Sequence, residues 1–127
     1  MQRRDINAPD APAPAGTYTQ AVEITGATRT LFISGQVGSD AKGNVPDDAA
    51  AQARLVYANL QAQLRAAGMT LDNIVKITTI LPDIANMAVA RSVRSEVMGD
   101  RRPASTLIVG GLANPAWKLE VEAIACA

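Results

Sequence analysis

Glu120 and Glu122 stand two positions apart in the strand-like run Lys118 to Cys126, so both project from one face together with Ile124. A carboxylate held this way can orient a water molecule or relay a proton, although a solvated face is the ordinary use of such a pair. Tyr18 is one of few aromatics beside Tyr57, Phe32 and Trp117, and it offers either a packing ring or a hydroxyl that lines a cleft. Ser34-Gly35 closes an apolar run, where backbone groups can meet a ligand or the chain can simply bulge. Ser105-Thr106 carries hydroxyls, but there are no histidines, and a serine nucleophile has no base to activate it. The same absence excludes His-based triads and His-rich metal sites. Chemistry falls to carboxylates, hydroxyls, amides and bound water, with no metal and no cofactor expected.

These groups need a scaffold, and the composition allows one. At 127 residues and 48% hydrophobic content, the chain reads as a single domain, 1–127, able to bury its own core. Twelve basic residues cancel twelve acidic ones, which leaves no broad field to hold a polyanion or an anionic membrane surface. With only 3% aromatic residues, an RNA surface built on cationic tracks and stacking rings is not expected. The lone Cys126 cannot form an intrachain disulfide. Arg3-Arg4 is followed by Asp5, Asn7 and prolines where an export signal needs an apolar stretch, so a cytoplasmic location is expected.

The proline-rich stretch Ala8 to Gly16 belongs to an extended lead-in covering residues 1–15. Alternation through Tyr18, Gln20, Val22 and Ile24, a turn near Gly26, and the run Thr30 to Ser34 then predict a hairpin. Turn-forming residues fill Asp40 to Asp48, and Asp47 or Asp48 can cap a helix whose stripe is Ala49, Ala53, Val56, Leu60, Leu64 and Ala67, stopped at Gly68. Ile74 to Leu81 reads as a strand, and Met87, Ala90, Val93 and Val97 as the stripe of a second helix. Strands near Ser105 to Val109 and Lys118 to Cys126 follow. The order is β-β-α-β-α-β-β, with a small extra strand expected before the first helix. It predicts an α/β (α+β) fold with a mixed sheet and both helices on one face. Phe32, Ile80, Ile108 and Ile124 would then face away from the helices, and self-association is the simplest way to cover them.

Blocks in this order carry a resemblance to a known family: Gly16-Thr17-Tyr18-Thr19-Gln20-Ala21-Val22, Phe32-Ile33-Ser34-Gly35-Gln36, the helix with Gln52, Asn59-Leu60 and Ala67-Gly68, Ile74-Val75-Lys76, and Glu120 to Ala125. Over residues 16–125 the chain resembles the reactive intermediate deaminase (Rid, YjgF-like) proteins. The resemblance implies a chorismate-mutase-like fold with a six-stranded mixed sheet, a homotrimer with a central barrel, and small-molecule clefts between subunits. In the best-known branch those clefts hydrolyse 2-imino acids or their enamine tautomers to 2-keto acids and ammonia. Tyr18, Ser34 and Gly35 match cleft-lining positions, and Glu120 matches the carboxylate thought to orient the attacking water.

Two positions depart from the family pattern. Active members hold the substrate carboxylate with an arginine in a Pro-Ala-Arg motif, whereas this chain reads Pro103-Ala104-Ser105-Thr106. The stretch on to Leu112 is one residue shorter. Arg91 stands where many members carry a cleft-facing asparagine. Losing the arginine removes a contact of roughly 1.5–3 kcal/mol, which leaves a deaminase and a non-catalytic binding or protective module both open, with a ribonuclease or translation inhibitor as a lesser alternative. Arg101 and Arg102 lie just upstream of the missing arginine. Gln52 and Asn59 are expected to bond nearby backbone, and Glu122 to pair with a neighbouring subunit.

Overall fold

The computed structural model describes residues 1–127, and most of its elements begin and end where the local chemistry asks. Asp48 caps α1 (Ala49–Ala66), its carboxylate accepting from the Ala51 N–H at 2.9 Å. Gly68, at φ 68°, ends that helix in the left-handed conformation that costs glycine least. Gly99, at φ 56°, does the same for α2 (Met87–Met98). The strands are β1 (Gln2–Ile6), β2 (Ala21–Thr25), β3 (Thr30–Val37), β4 (Ile74–Leu81), β5 (Ala104–Val109) and β6 (Glu120–Cys126).

Four strands form the main sheet in the order β3-β6-β4-β5. The first two pairings are antiparallel, and β4 runs parallel to β5 through the α2 crossover. Ile33, Ile77, Leu81, Val121, Ala123 and Ala125 on one sheet face pack with Val56, Tyr57, Leu60, Leu64, Val93 and Met98 into a continuous core. Burial of each large apolar side chain there contributes roughly 1.5–3 kcal/mol. Period-two alternation sends Phe32, Thr78, Ile80, Ile108, Glu120, Glu122 and Ile124 to the opposite face, where Phe32 is paired with Ile124 and Ile80 with both Ile108 and Glu120. No helix covers that side. Phe32 is 75% exposed and Ile108 46%.

The mixed α+β architecture with two helices on one face matches the expectation, but the six strands divide differently. β2 pairs antiparallel with β1, not with β3, so the expected hairpin between Tyr18–Ile24 and Thr30–Ser34 does not form. The sheet is therefore four-stranded with a separate two-stranded ribbon. The lead-in contributes a strand of its own, and the small extra strand expected between β3 and α1 does not form. There the Asp40 carboxylate instead accepts from the Lys42 and Asn44 N–H groups and the Asn44 amide, folding the segment into a polar turn. Those bonds hold the Asp40 carboxyl below the usual carboxylate range, the Asn44 side chain contributing most.

Candidate functional site

A cavity of about 420 Å³ opens between α2, β5 and the segment Ala15, Gly16, Thr17 and Tyr18. The parallel register puts Ser105 opposite Ile77 and Leu107 opposite Thr79, so these β5 side chains face the helix side and reach the cavity. Tyr18 hangs over it from the segment before β2, its hydroxyl accepting from the Ala15 N–H at 3.3 Å. Ala90, Met98 and Leu107 supply apolar wall.

The electrostatics come from arginines. Arg91 and Arg94, one turn apart on α2, both line the cavity. Arg94 Nη1 donates to Ser105 Oγ at 2.7 Å and Nη2 to the Thr17 carbonyl at 3.3 Å. The chain's ion pairs join Arg3 to Asp5, Arg4 to Glu23, Arg54 to Glu96 and Arg101 to Asp72, so neither Arg91 nor Arg94 has a carboxylate partner. Arg101 also borders the cavity, but its guanidinium bonds Asp72 at 2.6 Å and the Met98 carbonyl at 3.1 Å. Arg102 is exposed and does not line the cavity.

Tyr57, on α1, forms part of the deeper lining. The residue is 2% exposed, its hydroxyl has no protein hydrogen-bond partner, and no buried polar atom is left unsatisfied. The hydroxyl therefore opens into the cavity space. Burial pushes its pKa up to about 12 against an opposing pull from the Arg94 charge, so it stays a neutral donor at neutral pH.

Glu120 lies elsewhere. It projects from the open face of the sheet, where its carboxylate crosses Gly35 so closely that a Cβ there would overlap Glu120 Oε1. Between Ile33 and Gln36 the register of β3 shifts, and this irregularity holds Ser34 and Gly35. Ser34 is exposed, and its carbonyl accepts from Gln36 Nε2 at 2.8 Å.

The residues singled out in the sequence thus fall into two groups. Tyr18, Arg91 and Ser105 surround the cavity on the helix side. Ser34, Gly35 and Glu120 gather on the open side of the same sheet. Arg94 and Tyr57 escaped sequence reading, although the three-residue step from Arg91 to Arg94 and the four-residue step from Ala53 to Tyr57 put each pair on one helix face. Gln52 and Asn59 do bond backbone, the former to Pro46, Ala116 and Lys118 and the latter to Val37 and Ser39. No group of three His, Cys, Asp or Glu side chains is placed to hold a metal ion. No helix is long and apolar enough to cross a membrane.

Fold and cavity together define a small α+β protein with a cationic, hydroxyl-lined pocket beside one edge of a half-covered sheet. The family model described as endoribonuclease L-PSP matches residues 8–127. A conserved Rid-family protein of Yersinia pestis, YyfB, superimposes with a TM-score of 0.83 at 35% identity, covering 100% of both chains. The 2-iminobutanoate/2-iminopropanoate deaminase of Bos taurus is 35% identical over 127 residues, 98% of this chain and 90% of that protein. Escherichia coli TdcF, solved with bound serine, superimposes with a TM-score of 0.72 at 30% identity over 98% of each chain. The chain belongs to the Rid (YjgF-like) family.

Proposed function

We propose that this protein binds a small carboxylated imine, enamine or carbonyl compound and hydrolyses the imine to a ketone and ammonia. The observation that carries the reading is a cavity whose lining holds guanidinium groups free of carboxylates beside hydroxyls and a short apolar wall. Such a lining suits a small organic anion. The bovine relative's name, a deaminase of 2-iminobutanoate and 2-iminopropanoate, and the serine bound to TdcF support ligands of this size and charge.

The reaction asks little of the protein. Water oxygen adds to the imine carbon, a proton passes to nitrogen, and the resulting carbinolamine expels ammonia as the C=O bond forms. Positioning the water and moving the protons is work that one carboxylate can do, and Glu120 is the group assigned to it. Because Glu120 and the cavity lie on opposite faces of the sheet within one chain, the reading requires subunits to come together. A homotrimer that closes its bare faces around a common axis, leaving clefts at the seams, meets that requirement. The exposed Phe32 and Ile108 favour such an assembly.

The endoribonuclease of the family description has less support, because the chain is neutral, lacks histidine and is poor in aromatics. To test the main reading, 2-iminobutanoate is generated in situ from 2-aminobutanoate by an amino-acid oxidase, and ammonia release is followed with and without protein. The wild type is expected to accelerate hydrolysis, and Glu120→Gln to lower kcat by about 10²–10⁴-fold. Equal rates for the two proteins remove Glu120 from the mechanism. No acceleration by the wild type leaves a binding module.

A further inference from the structure

We infer that Arg94, reaching across the cavity from α2, holds the ligand carboxylate in place of the arginine that the strand lacks at Ser105, and that the Tyr57 hydroxyl is its second donor. The inference rests on the proposed function for the identity of the ligand, and on geometry for the clamp.

Ser105 faces the cavity with a side chain too short to reach far into it. Arg94 Nη1 lies 2.7 Å from its hydroxyl oxygen, so a guanidinium stands at the tip of Ser105 although it arrives from a helix and not from the strand. Its two protein partners, Ser105 Oγ and the Thr17 carbonyl, are both neutral. They fix the plane of the fork without cancelling its charge. A guanidinium offers about five N–H donors, and two are engaged here, so further donors remain for a carboxylate. Arg101 cannot substitute, being committed to Asp72 and the Met98 carbonyl.

Tyr57 supplies an independent indication. A phenol 2% exposed normally finds a partner inside the protein, yet this hydroxyl has none and opens into the same cavity. Donors on two different helices therefore converge on one space, the Tyr57 hydroxyl with no acceptor and Arg94 with N–H groups still unused. An anionic, planar group such as a carboxylate satisfies both. Ala90, Met98 and Leu107 beside them leave room for a short aliphatic side chain. The substrate class is a small 2-imino or 2-oxo monocarboxylate. Ser105 becomes a positioning residue, holding the Arg94 fork that serves in place of the absent strand arginine.

The test measures binding of 2-oxobutanoate and of its neutral counterpart 2-oxobutanamide to the full chain by calorimetry, with thermal melting to verify folding. The wild type should prefer the acid. Arg94→Ala should weaken 2-oxobutanoate binding by about 10–100-fold, erasing that preference with little effect on the amide, a change in charge selectivity that a merely structural role would not produce. Arg94→Lys, which keeps the charge but loses the fork, should fall between. Tyr57→Phe should weaken the acid by about 3–10-fold, in line with loss of one neutral hydrogen bond. If Arg94→Ala does not fold, the lysine and phenylalanine variants decide alone. Wild-type affinity and selectivity in the folded variants, or no preference for the acid in the wild type, overturns the clamp. An Arg94-dependent preference for the acid without imine turnover would sink the deaminase reading and leave the clamp standing. Imine turnover with an unchanged KM in Arg94→Ala would do the reverse.

Discussion

Tyr57 links the cavity to folding through its proton. Its native pKa of about 12 lies above the ordinary value of 10.0, so the unfolded chain ionises first as the solution becomes alkaline. The stabilisation from keeping the phenol neutral is fully present below pH 10 and is lost as pH rises towards 12. At about 1.4 kcal/mol per pKa unit, the whole effect is on the order of 2–3 kcal/mol. Urea unfolding across this pH range should show the loss in the wild type, and Tyr57→Phe should flatten that part of the curve. Sequence reading stops short at this scale for a physical reason. The types at positions 91 and 105 were legible, and the absent strand arginine was conspicuous, but the direction of Arg94 depends on how α2 lies against β5. That is a tertiary fact, and no spacing within α2 contains it.

Among the elements, Gln52 has an unusual duty for a polar helix residue. It is fully buried on α1, its amide nitrogen donating to the Pro46 and Ala116 carbonyls at 2.8 and 2.9 Å, while its oxygen accepts from the Lys118 N–H at 2.9 Å. One side chain so joins the turn before α1 to the approach to β6. Gly38 closes against it, with room for no Cβ: the nearest Gln52 backbone atom would be 2.8 Å away. Replacing Gln52 with leucine leaves three part-buried backbone groups without their partner and should cost about 2–5 kcal/mol, read as a lower urea midpoint at an unchanged slope. Both helices, β4 and β6 were legible because a buried face imposes its period on the sequence. β1 was not, because four of its five residues are exposed. Its pairing with β2 rests on backbone hydrogen bonds and on the Arg4–Glu23 ion pair, and Arg3 ties it to the Arg102 carbonyl ahead of β5, none of which leaves an apolar rhythm.

At the scale of the whole molecule, the helix-free face and the two outer strands, β3 and β5, are where another copy has most to gain. Phe32 stands on that face, so Phe32→Lys should place a charge where contact is proposed and leave the internal core intact. Sedimentation at micromolar concentration should then show a species larger than a monomer for the wild type and a smaller one for the variant, with similar far-UV circular dichroism. A monomeric wild type would remove the basis for clefts between subunits. On this face the Glu120 side chain fills the place a Cβ at Gly35 would take and so ties two distant stretches of chain together. Any side chain gained there would unseat the acid of Glu120, so a change in one strand would displace the carboxylate proposed to orient water without altering Glu120 itself.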